Sequence, residues 1–343
     1  LVKYDTGSNH FKTEKGSGMQ RINEDIKSGN FKQSYLLYGE EAYLRKQYRD
    51  RLKQAMTVDG DTMNYSYFEG KDISVPAVID LAETLPFFAD RRVIVIENSG
   101  LFKHGGEQLA EYLQEPAEST YFIFVETEVD KRSKLFKTVS SKGMGVEFPA
   151  QSEATLKKWI LGMIKKEGKQ ITEPALHYFL EKTGTDMENI RKELEKLMCY
   201  CMEKDAVREQ DIENICTKRV GNHIFDMINA IADKQQKKAL DLYYDLLALK
   251  EPAMRILVLI TRQFNTLLQV KELKAKGYDN KTIGQKVSLP PFIAGKYVAQ
   301  ASKFKTSDLR QALEACVEME ESVKTGKIKD IMSVELLIVR YSV

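Results

Sequence analysis

Residues on which hydrolytic and metal sites are usually built are scarce here: 343 residues carry only 4 histidines and 4 cysteines. His10, His104, His177 and His223 have no metal-ligand spacing, so no metal site is expected. His177 and His223 sit in helical patterns and read as ordinary helix residues. Cys199, Cys201, Cys216 and Cys316 do not form a disulfide framework, and Cys199 and Cys201, two apart on a helical pattern, face different directions. No Gly-x-Ser-x-Gly elbow exists to carry a serine nucleophile. A run of about 18 apolar residues is also missing, as is an apolar leader, so no membrane span and no secretory signal are expected. Thiols without a leader fit a reducing cytoplasm. Nor is there an excess of one charge: 52 Lys and Arg stand against 50 Asp and Glu, a net +2. Overall charge therefore does not point to nucleic acid, although local basic clusters remain.

What is present is an ordinary soluble composition, 43% hydrophobic and 30% charged, in a chain long enough for about two or three domains. Residues 1–18 are polar, have no period and end in Gly16-Ser17-Gly18, which reads as a disordered extension or an expression remnant before Met19. From Met19 to about Ala150 helices and strands alternate. The expected helices are Ile22–Lys27, Glu41–Met56, one capped by Ser74 that runs through Leu81 to about Thr84, Glu107–Leu113 and Lys131–Ser140. The expected strands are Tyr35–Tyr38, Asn64–Phe68, Val93–Ile96, Tyr121–Val125 and Val146–Phe148. Strands separated by helices predict a largely parallel sheet covered on both faces.

After Pro149 nearly everything has helical period. Ser152–Glu167, Pro174–Thr183, Met187–Met202 and Asp211–Thr217 form a small bundle over residues 151–220. Residues 221–343 carry seven further helical patterns: Ile224–Ala232, Lys237–Leu249, Pro252–Lys276, Lys281–Val287, Phe292–Ala301, Ser307–Thr325 and Ile331–Arg340.

A parallel sheet followed by a helical bundle is a common plan for nucleotide-binding modules, and its phosphate loop belongs at the first strand-to-helix turn. Such a loop needs glycines, a Lys for the phosphates and a Ser or Thr for magnesium. The turn here is Gly39-Glu40-Glu41-Ala42-Tyr43-Leu44, with neither Lys nor Ser or Thr and with two carboxylates that repel a triphosphate. The usual magnesium-carboxylate position, after Ile96, holds Glu97 and Asn98 and not an acidic pair. No catalytic, nucleotide-binding or metal residue is assigned, and no cofactor. The basic clusters Lys131-Arg132-Ser133-Lys134 and Lys157-Lys158 read as solvated surface or as DNA-backbone contacts. Trp159 lies on the apolar side of its helix and reads as core.

One stretch is unusual. In Leu85–Glu97, LPFFADRRVIVIE, Pro86 ends the preceding helix and two adjacent phenylalanines follow, before a β-branched strand. Phe87 and Phe88 cannot both lie on one narrow core-facing stripe. Two readings stand: aromatics that close a core, or an apolar wedge offered to a partner's pocket.

Taken together, these blocks resemble the delta subunit of the bacterial DNA polymerase III clamp loader over Met19–Val343. Tyr35–Leu44, YLLYGEEAYL, is similar to the family's opening strand and turn. Leu85–Ile96 is similar to its clamp-binding segment and following strand, and Gly184–Leu197, GTDMENIRKELEKL, to its second-domain motif around Glu193–Leu197. Ile224–Ala232, IFDMINAIA, resembles the start of its collar, and Glu321–Lys327, ESVKTGK, a late helix end. The resemblance implies a degenerate AAA+ module: a clamp-binding α/β domain (19–150) without a working phosphate loop and a small helical lid (151–220). A helical collar (221–343) follows and joins the ATPase gamma/tau and delta-prime subunits in a five-membered ring. It implies a non-catalytic cytoplasmic subunit of the polymerase complex. That subunit binds the sliding clamp through a wedge falling on Leu85, Phe87 and Phe88, and opens it for loading onto primed DNA. The alternatives are an active AAA+ ATPase of DNA metabolism, whose phosphate loop lies elsewhere, and a helical nucleic-acid adaptor.

Overall fold

The computed structural model describes residues 18–58, 60–217, 220–289 and 291–342; most of the N-terminal extension expected from the sequence, residues 1–17, lies outside the described residues. The chain divides into two units. One runs to Gln151 and includes Lys158–Met163; the other comprises Ser152–Lys157 and Ile164 onward.

The first unit is α/β. In chain order it contains α1 (Gly18–Ser28), β1 (Ser34–Tyr38), α2 (Ala42–Met56), β2 (Tyr65–Glu69), α3 (Val75–Glu83) and β3 (Arg92–Glu97). It continues with α4 (Glu107–Tyr112), β4 (Thr120–Glu126), α5 (Lys134–Lys142) and β5 (Met144–Glu147). The five strands form one sheet in the order β2-β3-β4-β1-β5, every pairing parallel. Alternation along the strands sends Leu36, Tyr38, Ile94, Ile96, Phe122 and Phe124 to one face. There they pack on Val75, Val78 and Ala82 of α3, Leu109 of α4, and Leu135 and Val139 of α5. Their neighbours Tyr35, Leu37, Val93, Val95, Ile123 and Val125 are equally buried. Burial on both faces is why β1, β3 and β4 read as continuous apolar runs.

Several expected boundaries shift: α1 begins at Gly18, four residues before the expected Ile22 and within the expected extension, and β5 runs Met144–Glu147 where Val146–Phe148 was expected. The basic helix begins at Lys134, three residues later than expected, because Ser133 caps it by accepting from the Phe136 amide at 3.2 Å. The second strand begins at Tyr65; the Asn64 carbonyl still accepts from the Val93 amide of β3 at 2.8 Å, while its side chain has another role described below.

The second unit is almost entirely helical. Helix α6 (Glu153–Lys166) spans the division, and α7 (Glu173–Thr183), α8 (Met187–Tyr200) and α9 (Glu209–Ile215) follow. Two short strands that helical periodicity does not reveal, β6 (Gln170–Ile171) and β7 (Ala206–Val207), pair in parallel beside them. The motif at Glu193–Leu197 has a physical basis. Leu194 and Leu197 are buried, and the buried Glu193 carboxylate accepts from the Thr217 amide at 2.9 Å and pairs with Lys196 at 2.7 Å. The remaining helices are α10 (Val220–Ala232), α11 (Gln236–Ala248), α12 (Ala253–Ala275), α13 (Asn280–Lys286), α14 (Pro291–Ser302), α15 (Thr306–Lys324) and α16 (Asp330–Tyr341). Their apolar stripes meet in one core that includes Ile228, Tyr243, Ile260, Phe264, Leu309 and Leu337. No described helix is long and apolar enough to cross a membrane.

Candidate functional site

Helix α3 stops at Glu83, and Leu85, Pro86, Phe87 and Phe88 form the turn that leads to β3. The side chains of this turn point into solvent: Leu85 is 83% exposed, Phe87 57% and Phe88 95%. The two rings meet edge to face, with centroids 4.5 Å apart. Neither ring belongs to the core, so the first of the two readings left open by the sequence does not hold.

The backbone beneath these side chains is tightly held. The Phe87 amide donates to Asn64 Oδ1 at 2.6 Å, and Asn64 Nδ2 donates to the Phe87 carbonyl at 2.8 Å. Asn64 is itself 2% exposed and is oriented by Asp61, whose carboxylate accepts from Asn64 Nδ2 at 2.8 Å and from the Asn64 amide at 3.0 Å. Those bonds hold the Asp61 carboxyl below the usual aspartate range. On the other side Arg92, 6% exposed at the start of β3, donates to the carbonyls of Thr84 at 3.1 Å, Leu85 at 3.2 Å and Met63 at 3.4 Å. Phe88 adopts a left-handed φ of 49°, a conformation that a bulky residue keeps only where its surroundings impose it. Reasoning from sequence missed Asn64 and Arg92. The signal available was Asp61-x-x-Asn64 ahead of a strand, a spacing suited to side-chain capping of a turn.

At the first strand-to-helix turn, three amides are already engaged. The Gly39 amide donates to the Glu126 carbonyl at 3.3 Å and the Glu41 amide to the Phe148 carbonyl at 3.0 Å. Glu41 caps α2 and accepts from the Tyr43 amide at 3.3 Å, so a carboxylate of the chain stands at the helix N-terminus, where a phosphate would sit. Arg45, buried one turn into α2, feels Glu41, Glu97 and Glu126; burial lowers its pKa and those carboxylates oppose the shift. The buried Glu126 carboxylate accepts from the Ser99 amide at 2.9 Å and the Ser99 hydroxyl at 2.5 Å. Burial pushes its pKa up against those bonds.

The basic clusters are largely neutralised. Lys131 pairs with Glu147 at 2.8 Å, Arg132 with Asp130 at 3.0 Å, Lys134 with Glu111 at 2.6 Å, and Lys157 with both Glu153 and Glu173. Trp159 is buried against Tyr43. Among the described residues no cluster of His, Cys, Asp and Glu is placed to hold a metal ion.

The family model "DNA polymerase III, delta subunit" matches residues 35–148, and the model of that subunit's C-terminal domain matches residues 221–341. The chain belongs to the DNA polymerase III delta-subunit family. Among members, it is 28% identical over 331 residues to DNA polymerase III subunit delta of Bacillus subtilis (strain 168), covering 92% of this chain and 95% of that protein. It is 26% identical over 258 residues to a probable DNA polymerase III subunit delta of Aquifex aeolicus (strain VF5), covering 71% and 72% respectively. The solved structure of the Bacillus subtilis DNA clamp loader delta protein superposes with a TM-score of 0.70 at 25% identity, over 94% of this chain and 98% of that one. Both the exposed turn and the occupied phosphate turn lie inside the first matched segment, while the Glu193–Leu197 motif lies between the two.

Proposed function

We propose that this clamp-loader delta subunit binds the ring-shaped sliding clamp through Leu85, Phe87 and Phe88 and opens one of the ring's interfaces, without binding or hydrolysing ATP. One observation carries the reading: three apolar side chains stand exposed on a turn whose backbone is fastened by two buried polar residues. A core plug would be buried, and an unsupported apolar loop would collapse onto the surface. Burying these three side chains contributes very roughly 4–8 kcal/mol of gross transfer energy before association costs. A surface that fits the open ring better than the closed ring shifts the population toward open by its differential affinity, so no catalytic residue is required.

In this reading residues 221–343 act as the collar that joins the gamma/tau and delta-prime subunits, residues 151–220 act as a lid segment, and primed DNA is met only within the assembled complex. The occupied turn at Gly39–Tyr43 supports a subunit that leaves hydrolysis to its neighbours.

Titration of the purified full chain with purified sliding clamp tests the reading. Saturable binding is expected, together with faster dissociation of clamp rings from circular DNA. Absence of binding at micromolar concentrations overturns it.

A further inference from the structure

We propose that Asn64 and Arg92 are positioning residues for the wedge, setting clamp affinity by holding Leu85, Phe87 and Phe88 in their presented conformation before the partner arrives. This rests on the reading of the wedge as the clamp contact. Neither residue is available to a partner: both are more than nine-tenths buried beneath the turn. Their hydrogen-bonding groups are directed at the turn's backbone. Asn64 closes a two-point contact on Phe87 N and O, and Arg92 gathers the carbonyls of Thr84 and Leu85. The residue between these two fasteners, Pro86, has a fixed φ, and the residue after them, Phe88, is held at φ 49°. Asp61 completes the arrangement by fixing the direction of the Asn64 amide.

A ligand whose partner populates the competent conformation only fractionally binds more weakly in proportion to that fraction. The bound contacts themselves are untouched, so the loss falls on the association rate. A residue that touches the clamp would instead raise the dissociation rate when truncated.

The experiment compares full-length wild type with Asn64→Ala, Asp61→Ala and Phe87→Ala/Phe88→Ala. The readouts are amide hydrogen exchange over residues 84–90 in the free protein, thermal melting, and association and dissociation rates on immobilised sliding clamp. Asn64→Ala is expected to speed exchange at Phe87 and Phe88 about tenfold or more and to slow association by about tenfold, with the dissociation rate within about twofold of wild type. Asp61→Ala leaves the buried amide in place, so it serves as the variant that folds in any case. It should move both readouts in the same direction, by about two- to threefold, with the melting temperature lowered by only a few degrees. If exchange over the turn does not change, or if exchange speeds up while clamp affinity stays at the wild-type value, Asn64 does not position the wedge. A loss confined to the dissociation rate also overturns the inference. If Phe87→Ala/Phe88→Ala binds as tightly as wild type, the wedge reading fails and this inference with it; if that variant loses binding while Asn64→Ala keeps it, only the inference fails.

Discussion

The amide of Glu41 donates to the carbonyl of Phe148 at 3.0 Å, joining the first strand-to-helix turn to the chain just beyond the edge strand β5. With the Gly39 and Tyr43 amides also engaged, three of the donors that a phosphate loop could offer to nucleotide are taken by the protein itself. Calorimetry with Mg-ATP at millimolar concentration is therefore expected to give no saturable heat, and the isolated chain to show no ATPase activity above background. A micromolar binding isotherm would contradict this.

Gly39 is the residue that lets the Phe148 carbonyl approach. Its φ is +121°, and a Cβ there would lie 2.5 Å from the Phe148 oxygen. Both the strained dihedral and the backbone collision act against a side chain. Gly39→Ala is expected to lower unfolding stability by about 2–4 kcal/mol. Urea denaturation measures it, and a change below about 0.5 kcal/mol would show that the turn relaxes freely.

The wedge makes a prediction in which affinity and stability part. Truncating hot-spot aromatics typically loses about 2 kcal/mol or more of binding, roughly thirtyfold in affinity, whereas truncating core aromatics loses about 3–5 kcal/mol of folding stability. Phe87→Ala/Phe88→Ala should therefore lose clamp binding while melting within a few degrees of wild type and still assembling with the other loader subunits. A large drop in melting temperature would return the two rings to a structural role.

Glu126 gives the fold a pH dependence of known sign. Burial raises its carboxyl pKa above the ordinary glutamate value, so the folded protein holds that proton more tightly than the unfolded chain does. The cost of ionising it is absent at pH values below the unfolded glutamate pKa and grows as pH rises through the folded value. Glu126→Gln removes this contribution and can still accept from Ser99. Its denaturation midpoint, relative to wild type, should move in the variant's favour as pH rises above the ordinary glutamate value. A difference independent of pH would show that the carboxyl titrates normally.

The thiols should separate in reactivity. Cys199 is exposed, whereas Cys201, Cys216 and Cys316 are buried, and burial pushes the Cys216 thiol up to about 12. A native titration with an aromatic disulfide reagent near pH 8 is expected to register one fast thiol, and all four in denaturant. Fast reaction of two or more would mean that the helices around Cys201, Cys216 or Cys316 open readily.

Much of this molecule was legible along the chain. Apolar runs such as Val93–Ile96 and Tyr121–Val125 read as buried strands because they are four or five residues long and made of β-branched and aromatic side chains, too short for a helix and suited to a parallel sheet. The caps at Ser74 and Asp186 and the end of the helix ahead of Pro86 were equally local, since each depends on a few consecutive residues. The absence of Lys, Ser and Thr from Gly39–Leu44 is a statement about composition, and no fold could restore them. What only the tertiary structure decided were the relations between distant residues. In a parallel sheet the strand starts share one edge, where Asn64 reaches Phe87, and the strand ends share the opposite edge, where Glu41 reaches Phe148. Whether Phe87 and Phe88 faced the core or the solvent was of the same kind. Adjacent aromatics in a turn have no intrinsic direction, and here the turn's backbone is hydrogen-bonded to an asparagine and an arginine from either side of it in sequence, contacts that exist only in the fold.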